Sequence, residues 1–538
     1  MKKHINIYLS ALLALTVIAS CKKSFLDERP FSTYSPETLK DSLGFDASLV
    51  GLYNHFSNFY TRSDRQGWVS VWQVGTDIAF AASPEGVETP YFKYELLNPQ
   101  DHAASWCWTW AYRLINNANI IIAGVTDPSL TSISQPTKNM IEAEARFFRG
   151  YAYNFLATLY GRVPVVTEPL AAPKTNFTRS PLDEVNKVVE DDLKFAADNL
   201  PEVGNLGANT NGAGKPAGRA HKYMAMQLLA EAYLRMGKPD LAEQRAQAII
   251  GSNKFDLNTA RYGVKASQPG DYFSDMFVKG NIRRSQGNKE AIWVMEIEDR
   301  RVVPGGFTGD PQQRRNWGTG YHNIPGMKLA DSLGGRGIGR MRLSTYVLYN
   351  LYEANDMRNS QYNIRRQFWY NDPTNAKFGQ PVPFVGSDTN TNIAPHTTKW
   401  YQFDPTDEFG YAMLKDITLM RLGETYLLLA EAQFKNNKPG EAAATLTTLR
   451  ARSNASAVTA GQVSMDFILD ERARELLAEE NRRMTLMRTG TLVQRAALNA
   501  NSPLNPISGL TNKHLLLPIP LSEINLNKDA ELEQNPDY

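Results

Sequence analysis

The sequence predicts an all-α protein in which tetratricopeptide-like helical hairpins stack into a superhelical scaffold, interrupted by one long irregular segment. Three observations carry that expectation. Apolar residues recur at spacings of three and four over several blocks, the mark of one-sided helices. A hairpin-sized block repeats 200 residues further on. The stretch between the two copies is rich in Gly, Pro, Asn and aromatic residues and has little helical period.

The chain opens with Lys2 and Lys3, then a charge-free run from Ile5 to Ala19 and the small pair Ala19-Ser20. This is the plan of a secretory signal peptide over residues 1–20. The run is shorter than the roughly 20 residues a membrane-crossing helix requires. The tetrad Ile18-Ala19-Ser20-Cys21 resembles the lipobox of bacterial lipoproteins, in which cleavage leaves the cysteine first and acylated. Cys21 is therefore the expected lipidation site. One acyl chain binds a membrane at only about 10⁴ M⁻¹, whereas two or more anchor a protein. Residues 21–36 read as the lipidated N-terminus and a tether.

Between Met140 and Leu159, Met140, Ile141, Phe147, Phe148, Tyr151, Phe155, Leu156 and Leu159 form one apolar face, stopped by Gly161 and Pro164. Ser180 and Pro181 are the expected cap and first-turn proline of a second helix closing at Leu200-Pro201. A third helix is expected from about Arg219 to Met236, and a fourth from Pro239 to Ile250. Eight of fifteen positions are identical between 228–242 and 428–442, including Leu-Leu-Ala-Glu-Ala and Lys-Pro. Short alanines on one helix, a turn and an alanine on the next let two backbones approach, as in tetratricopeptide hairpins. Such hairpins need stacked neighbours, so both copies are expected in one scaffold, over about 105–252 and 415–490. Residues 253–413 then form a loop-rich, ligand-binding insertion in a single domain spanning 37–538, because loops of that length usually carry function.

Over 538 residues, 58 Lys+Arg against 56 Asp+Glu give a formal charge of +2. Cleavage of the leader removes two lysines and no acid, leaving a neutral chain. Nucleic acid and anionic lipid are thereby excluded as bulk electrostatic partners, and any partner is recognised locally. With Cys21 acylated, Cys107 has no disulfide partner and reads as a packed small hydrophobe. The seven histidines never pair at metal-ligand spacing, so no metal or cofactor is expected. Gly214-Lys215 lacks the phosphate-loop context, Gly335-Arg336-Gly337-Ile338-Gly339 misses the dinucleotide spacing, and no Gly-x-Ser-x-Gly elbow occurs. A hydrolase using two carboxylates across a cleft leaves no such mark and stays open as an alternative.

Several motifs follow one another in a recognisable order: Cys21 with Phe25-Leu26-Asp27; Thr76-Asp77; Trp108, Tyr112, Ile115 and Asn119; Glu144-Ala145-Arg146-Phe147 with Arg149; and Tyr160-Gly161-Arg162-Val163-Pro164. Further on come Arg421-Leu422-Gly423-Glu424, Glu471-Arg472, Arg474-Glu475-Leu476, Pro518-Ile519-Pro520 and Gln534-Asn535-Pro536-Asp537-Tyr538. Together they resemble the SusD/RagB family of Bacteroidetes surface lipoproteins, from the lipobox to the last residue. Asp537 stands where that family usually has glycine, and Met484-Thr485-Leu486 replaces its Trp-x-Asp-Leu. The resemblance implies four tetratricopeptide-like hairpins, nutrient capture at the cell outer membrane, and partnership with a SusC-like TonB-dependent transporter. An oligosaccharide is the leading ligand. Peptide capture, as the RagB name suggests, and a tetratricopeptide adaptor that binds only proteins are the rivals.

The resemblance carries over no ligand contacts, so the site is sought from sugar chemistry. A ring that buries ~100 Å² of a sugar's apolar face contributes ~2.5 kcal/mol, against about 0.5–1.5 kcal/mol for a hydrogen bond. Aromatics in polar loops are thus the candidates: Tyr91 and Tyr94 after the Thr-Asp motif, and Arg315, Asn316, Trp317 and Tyr321 in the insertion. Trp317 and Tyr321 are expected to stack on a sugar while Arg315 and Asn316 take its hydroxyls. Trp68, Trp72, Trp369 and Tyr370 are weaker candidates, and the run Trp106, Trp108, Trp110 reads as core.

Overall fold

A computed structural model describes residues 41–170 and 172–538. The signal peptide, Cys21 and the tether lie outside the described residues. Among the described residues nine longer helices build the scaffold: α1 Ser42–Thr61, α2 His102–Val125, α3 Gln135–Tyr160, α4 Leu182–Asn199, α5 Lys222–Arg235, α6 Pro239–Ile250, α7 Leu422–Lys435, α8 Pro439–Ala451 and α9 Met465–Glu475. The all-α expectation holds. Six short strands make three antiparallel pairs among the described residues.

Local chemistry sets the helix ends. Asp41 caps α1 by accepting from the Gly44 amide at 2.7 Å, and Asp101 caps α2 through the Ala104 amide at 2.8 Å. Gly161 ends α3 with φ +71°, a conformation glycine adopts without strain. One expectation is corrected. Pro181, not Ser180, occupies the N-cap of α4, because the Ser180 amide is drawn to the Val163 carbonyl at 3.1 Å.

From α2 to α8 each helix packs on the next, including α6 on α7, so the chain leaves the scaffold after α6 and re-enters it beside the same helix. The repeat explains this join. Ala230, Ala232 and Ala242, like Ala430, Ala432 and Ala442, are wholly buried. Gly237 and Asn437 both turn with positive φ, +70° and +58°, which Asn tolerates better than other side chains. The copies touch directly: Glu243 accepts from Lys438 Nζ at 2.8 Å and Asn436 Nδ2 at 2.6 Å, and Thr425 donates to Gln227 at 2.6 Å.

The insertion contains no helix longer than five residues among those described. Its ends are fastened by the pairing of strand β2 (Ala291–Met295) with the last described strand, Ile417–Arg421. Trp293 on β2 stacks on Phe56 of α1, ring centres 4.9 Å apart, which ties the insertion to the main core. Strands β1 (Ala79–Ala81) and β3 (Met341–Leu343) join the Thr-Asp loop to it.

The charged signature residues of α9 face inward. Glu475 accepts from Arg421, Arg452 and Arg358, and Glu471 from Arg358, Arg450 and Arg474. These motifs hold the fold together rather than meet a ligand. Asp537 adopts φ +67°, the left-handed region that explains glycine's place there in the resembling family.

Candidate functional site

The structure buries all six residues singled out by sugar chemistry. Tyr91 donates to Asp101 at 2.7 Å and lies 4.9 Å from the Arg483 guanidinium. Tyr94 donates to the Gly75 carbonyl at 2.9 Å and accepts from Arg483 at 2.6 Å. Trp317 packs among Val74, Ile78, Met341 and Leu343, and Tyr321 among Ile324, Leu333 and Phe368. Asn316 accepts from Ser70 and donates to the Gln66 and Gln312 carbonyls, each at 2.9 Å. Within the turn Gln313–Trp317, the side chains of Gln313, Arg314 and Asn316 find partners on distant segments, which lets a stretch of solvated composition sink inside. Trp68, Trp72, Trp108, Trp110, Tyr370 and Cys107 are buried too.

Arg315 alone of the six reaches toward open surface. Its guanidinium lies 4.4 Å from the ring centre of Tyr411, which is 55% exposed, and Phe409 two residues earlier is 59% exposed. The Arg336 guanidinium lies 5.3 Å from Tyr411 and 5.7 Å from Phe409, and the His322 ring meets Phe409 edge-on at 5.9 Å. The intervening backbone is pinned from below: Arg336 donates to the Phe409 carbonyl and Arg314 to the Gly410 carbonyl, each at 2.6 Å. These bonds hold the Phe409 and Gly410 carbonyls, while the rings of Phe409 and Tyr411 stand exposed. No hydrophobic period marks Phe409 or Tyr411; alternation around Gly410 was the available signal.

A glycine contact brings the arginines together. Gly337 packs so closely on Gly318 that a Cβ there would lie 2.1 Å from the Gly318 carbonyl carbon. The two strands of loop are joined by Ile338 N to Arg315 O at 3.0 Å and Gly339 N to Gly318 O at 2.8 Å. This is what the glycine-rich stretch 335–339 does here. Burial, then the neighbouring guanidinium groups, brings Arg314 and Arg315 down to about 10. Burial, then Arg336, lowers His322 as well.

An open cleft of about 1210 Å³ lies beside α1 and α2. Arg62 is wedged between Trp68 and Trp106, 4.7 Å from each ring, and donates to Asp64 and to His102 at 2.7 Å. The cleft offers room, but its ring faces are largely taken by Arg62 and by each other. Phe409 and Tyr411 are exposed rings with guanidinium groups beside them, whereas Tyr349 and Phe378, exposed at 73% and 56%, stand apart from the arginine cluster. Trp369, at 43% exposure, stands on a separate loop.

Among the described residues no group of three or more metal-ligating side chains converges, and no helix is long and apolar enough to cross a membrane.

Comparison with known proteins gives a consistent result. The profile of the SusD family matches residues 289–538, and a profile described as "Starch-binding associating with outer membrane" matches residues 24–215. SusD-like protein P25 of Formosa agariphila is 25% identical over 530 residues, 94% of each chain. Among solved structures, a laminarin binding SusD-like protein superposes with a TM-score of 0.66 at 21% identity, covering 93% of this chain and 100% of its own. Surface glycan-binding protein A from Bacteroides thetaiotaomicron, in complex with laminarihexaose, gives 0.71 at 18% identity, covering 92% and 99%.

Proposed function

Since this chain belongs to the SusD family, we propose that it is a lipid-anchored outer-membrane protein that binds an oligosaccharide and passes it to a SusC-like TonB-dependent transporter. The carrying observation is the exposed pair Phe409 and Tyr411, held over Arg315 and Arg336 on the loop-rich side of the scaffold. Flat rings take the apolar face of a sugar while guanidinium and amide donors take its oxygens. The names of two structural neighbours, one binding laminarin and one complexed with laminarihexaose, support a glycan as the ligand. A shallow face of this kind holds a ligand and lets it go, which suits delivery rather than turnover, so the protein is a carrier and not an enzyme. Residues 37–538 act as one unit, with the insertion 253–413 as its ligand-binding part. Cys21 supplies the anchor, and the "associating with outer membrane" description of the N-terminal profile supports that location.

Titrating the protein with glycans and peptides, followed by calorimetry and product analysis, tests this. Saturable glycan binding without product is expected. Binding of peptides alone, or release of shortened glycan, overturns it. Mass spectrometry of the membrane-extracted protein is expected to find an acylated Cys21 as its first residue; a retained Met1 removes the anchor.

A further inference from the structure

We propose that the ligand is an acidic glycan, one bearing uronate carboxylates or sulfate esters, and that Arg315, Arg336 and Arg340 take its oxyanions beside the Phe409–Tyr411 rings. This rests on the glycan reading above and narrows it.

The arginine cluster lacks counter-charge. Arg314, Arg315, Arg336 and Arg340 influence one another electrostatically, yet among the described residues none of them forms an ion pair with a carboxylate. Their hydrogen bonds go to neutral oxygens: Arg314 to Gln402 and Gly410, Arg315 to Gln312, Arg336 to Phe409, Arg340 to Ser83 and Gln66. In all four the Nε–H is buried without a partner, and the Arg315 residue is 4% exposed.

Elsewhere most deeply buried arginines meet an acid, although Arg62, Arg235, Arg284, Arg342, Arg452 and Arg472 each also keep one buried nitrogen without a partner. Arg358, Arg421, Arg452, Arg472 and Arg482, equally buried, all meet carboxylates. Arg483 and Arg179, buried without one, have all three nitrogens hydrogen-bonded. The nearest acids are diverted from the cluster: Asp404 pairs with Arg301, and Asp407 stands 4.0 Å from Arg301 while acting on Arg314 only from a distance.

Withdrawing several positive charges from water without an anion is unfavourable, and the cost is recovered when a ligand brings the anion. A planar guanidinium matches a carboxylate or sulfate with two parallel N–H donors, and the rings above supply the apolar sugar face. The cluster is local. It leaves the chain's near-neutral charge unchanged, so it selects by position rather than by bulk attraction.

The test titrates the full chain, in a detergent without a sugar headgroup, with three oligosaccharides of equal length: a neutral β-glucan, an oligogalacturonate and a sulfated galactan. Variants Arg315→Gln, Arg336→Gln and Arg336→Lys accompany it, with circular dichroism to confirm folding. Arg336 is partly exposed and serves if the Arg315 variant does not fold. At least one acidic ligand is expected to bind tenfold or more tighter than the neutral one, to weaken with added salt, and to lose tenfold or more with Arg336→Gln. The arm that binds tells carboxylate from sulfate. Equal or tighter binding of the neutral glycan, or acidic binding unmoved by Arg336→Gln, overturns this inference and leaves the glycan reading standing. Absence of binding to all three removes both.

Discussion

Asp77 and Arg482 lie 405 residues apart in sequence and share one buried ion pair, Arg482 donating from Nε at 2.8 Å and from Nη2 at 2.6 Å. Arg495 Nε adds a third bond to the same carboxylate at 2.9 Å. Burial pushes the Asp77 carboxyl up, but the two guanidinium groups outweigh it and hold it below its ordinary range. The short Thr-Asp motif therefore ties the N-terminal part of the core to the helices near the C-terminus.

Removing one partner of such a buried pair leaves the others uncompensated, which costs about 3–5 kcal/mol. Asp77→Asn, which keeps the shape, is expected to lower unfolding stability by that amount in urea titration. A loss under about 1 kcal/mol would mean that the pair is not the tie described.

Acid should act through the same network. Burial raises Glu471 and Glu480, yet the arginines around them prevail and hold both at about 2, against an ordinary 4.5. Carboxyls depressed in the native state add stability that is full above pH 4.5 and lost as pH falls toward 2. Glu424 in this network, like Asp101, Asp192, Glu296 and Glu523 elsewhere, is raised by burial and works in the opposite sense, against Glu431, Glu471 and Glu480, each brought down to about 2. The urea midpoint is expected to stay level from pH 7 to 5 and to fall below about 4.5; a midpoint that holds at pH 3 would contradict this.

The joint between the two repeat copies is separately testable. Glu243 is buried and satisfies both Lys438 and Asn436. Glu243→Ala is expected to cost about 0.5–1.5 kcal/mol, the net worth of the hydrogen bond to half-buried Asn436, the exposed Lys438 adding little. A double-mutant cycle with Asn436→Ala should show coupling between the two sites, and additivity would place the joint elsewhere.

Much of this architecture was legible because it is periodic. The face of α3 and the repeated Leu-Leu-Ala-Glu-Ala announce helices that must bury one side, and the two copies do meet across the insertion. The site was not legible for a reason equally physical. Whether Asn316 is solvated or enclosed depends on Ser70 and Gln66, some 250 residues away, and no local pattern encodes such partners. Composition pointed to the right segment, since Arg315 borders the exposed rings, but assigned the stacking role to Trp317 and Tyr321, which the core had already claimed.

Tyr411 tests the ring face independently of charge. Its removal deletes a platform worth ~2.5 kcal/mol for ~100 Å² of sugar face, while exposed positions ordinarily change stability by within about 0.5 kcal/mol. Tyr411→Ala is expected to weaken neutral and acidic glycans alike by tenfold or more at unchanged stability. Unaltered affinity would move the platform to another ring, Trp369 being the next most open tryptophan candidate.

Gly337 links fold to site most directly. A Cβ at this position would meet Gly318 and the Thr319 amide at 2.1–2.6 Å, all backbone atoms that no rotamer change can move. Overpacking of this kind costs about 1–3 kcal/mol. Because Ile338 and Gly339 carry the hydrogen bonds to Arg315 and Gly318, the strain would part Arg336 from Arg315. Gly337→Ala is therefore expected to lose both stability and ligand affinity. Gly440, on α8 with nothing within 4 Å of its would-be Cβ, is the control, where alanine should stabilise by about 0.5–1 kcal/mol. If Gly337→Ala keeps full affinity while losing stability, the juxtaposition of the two arginines is not what holds the ligand.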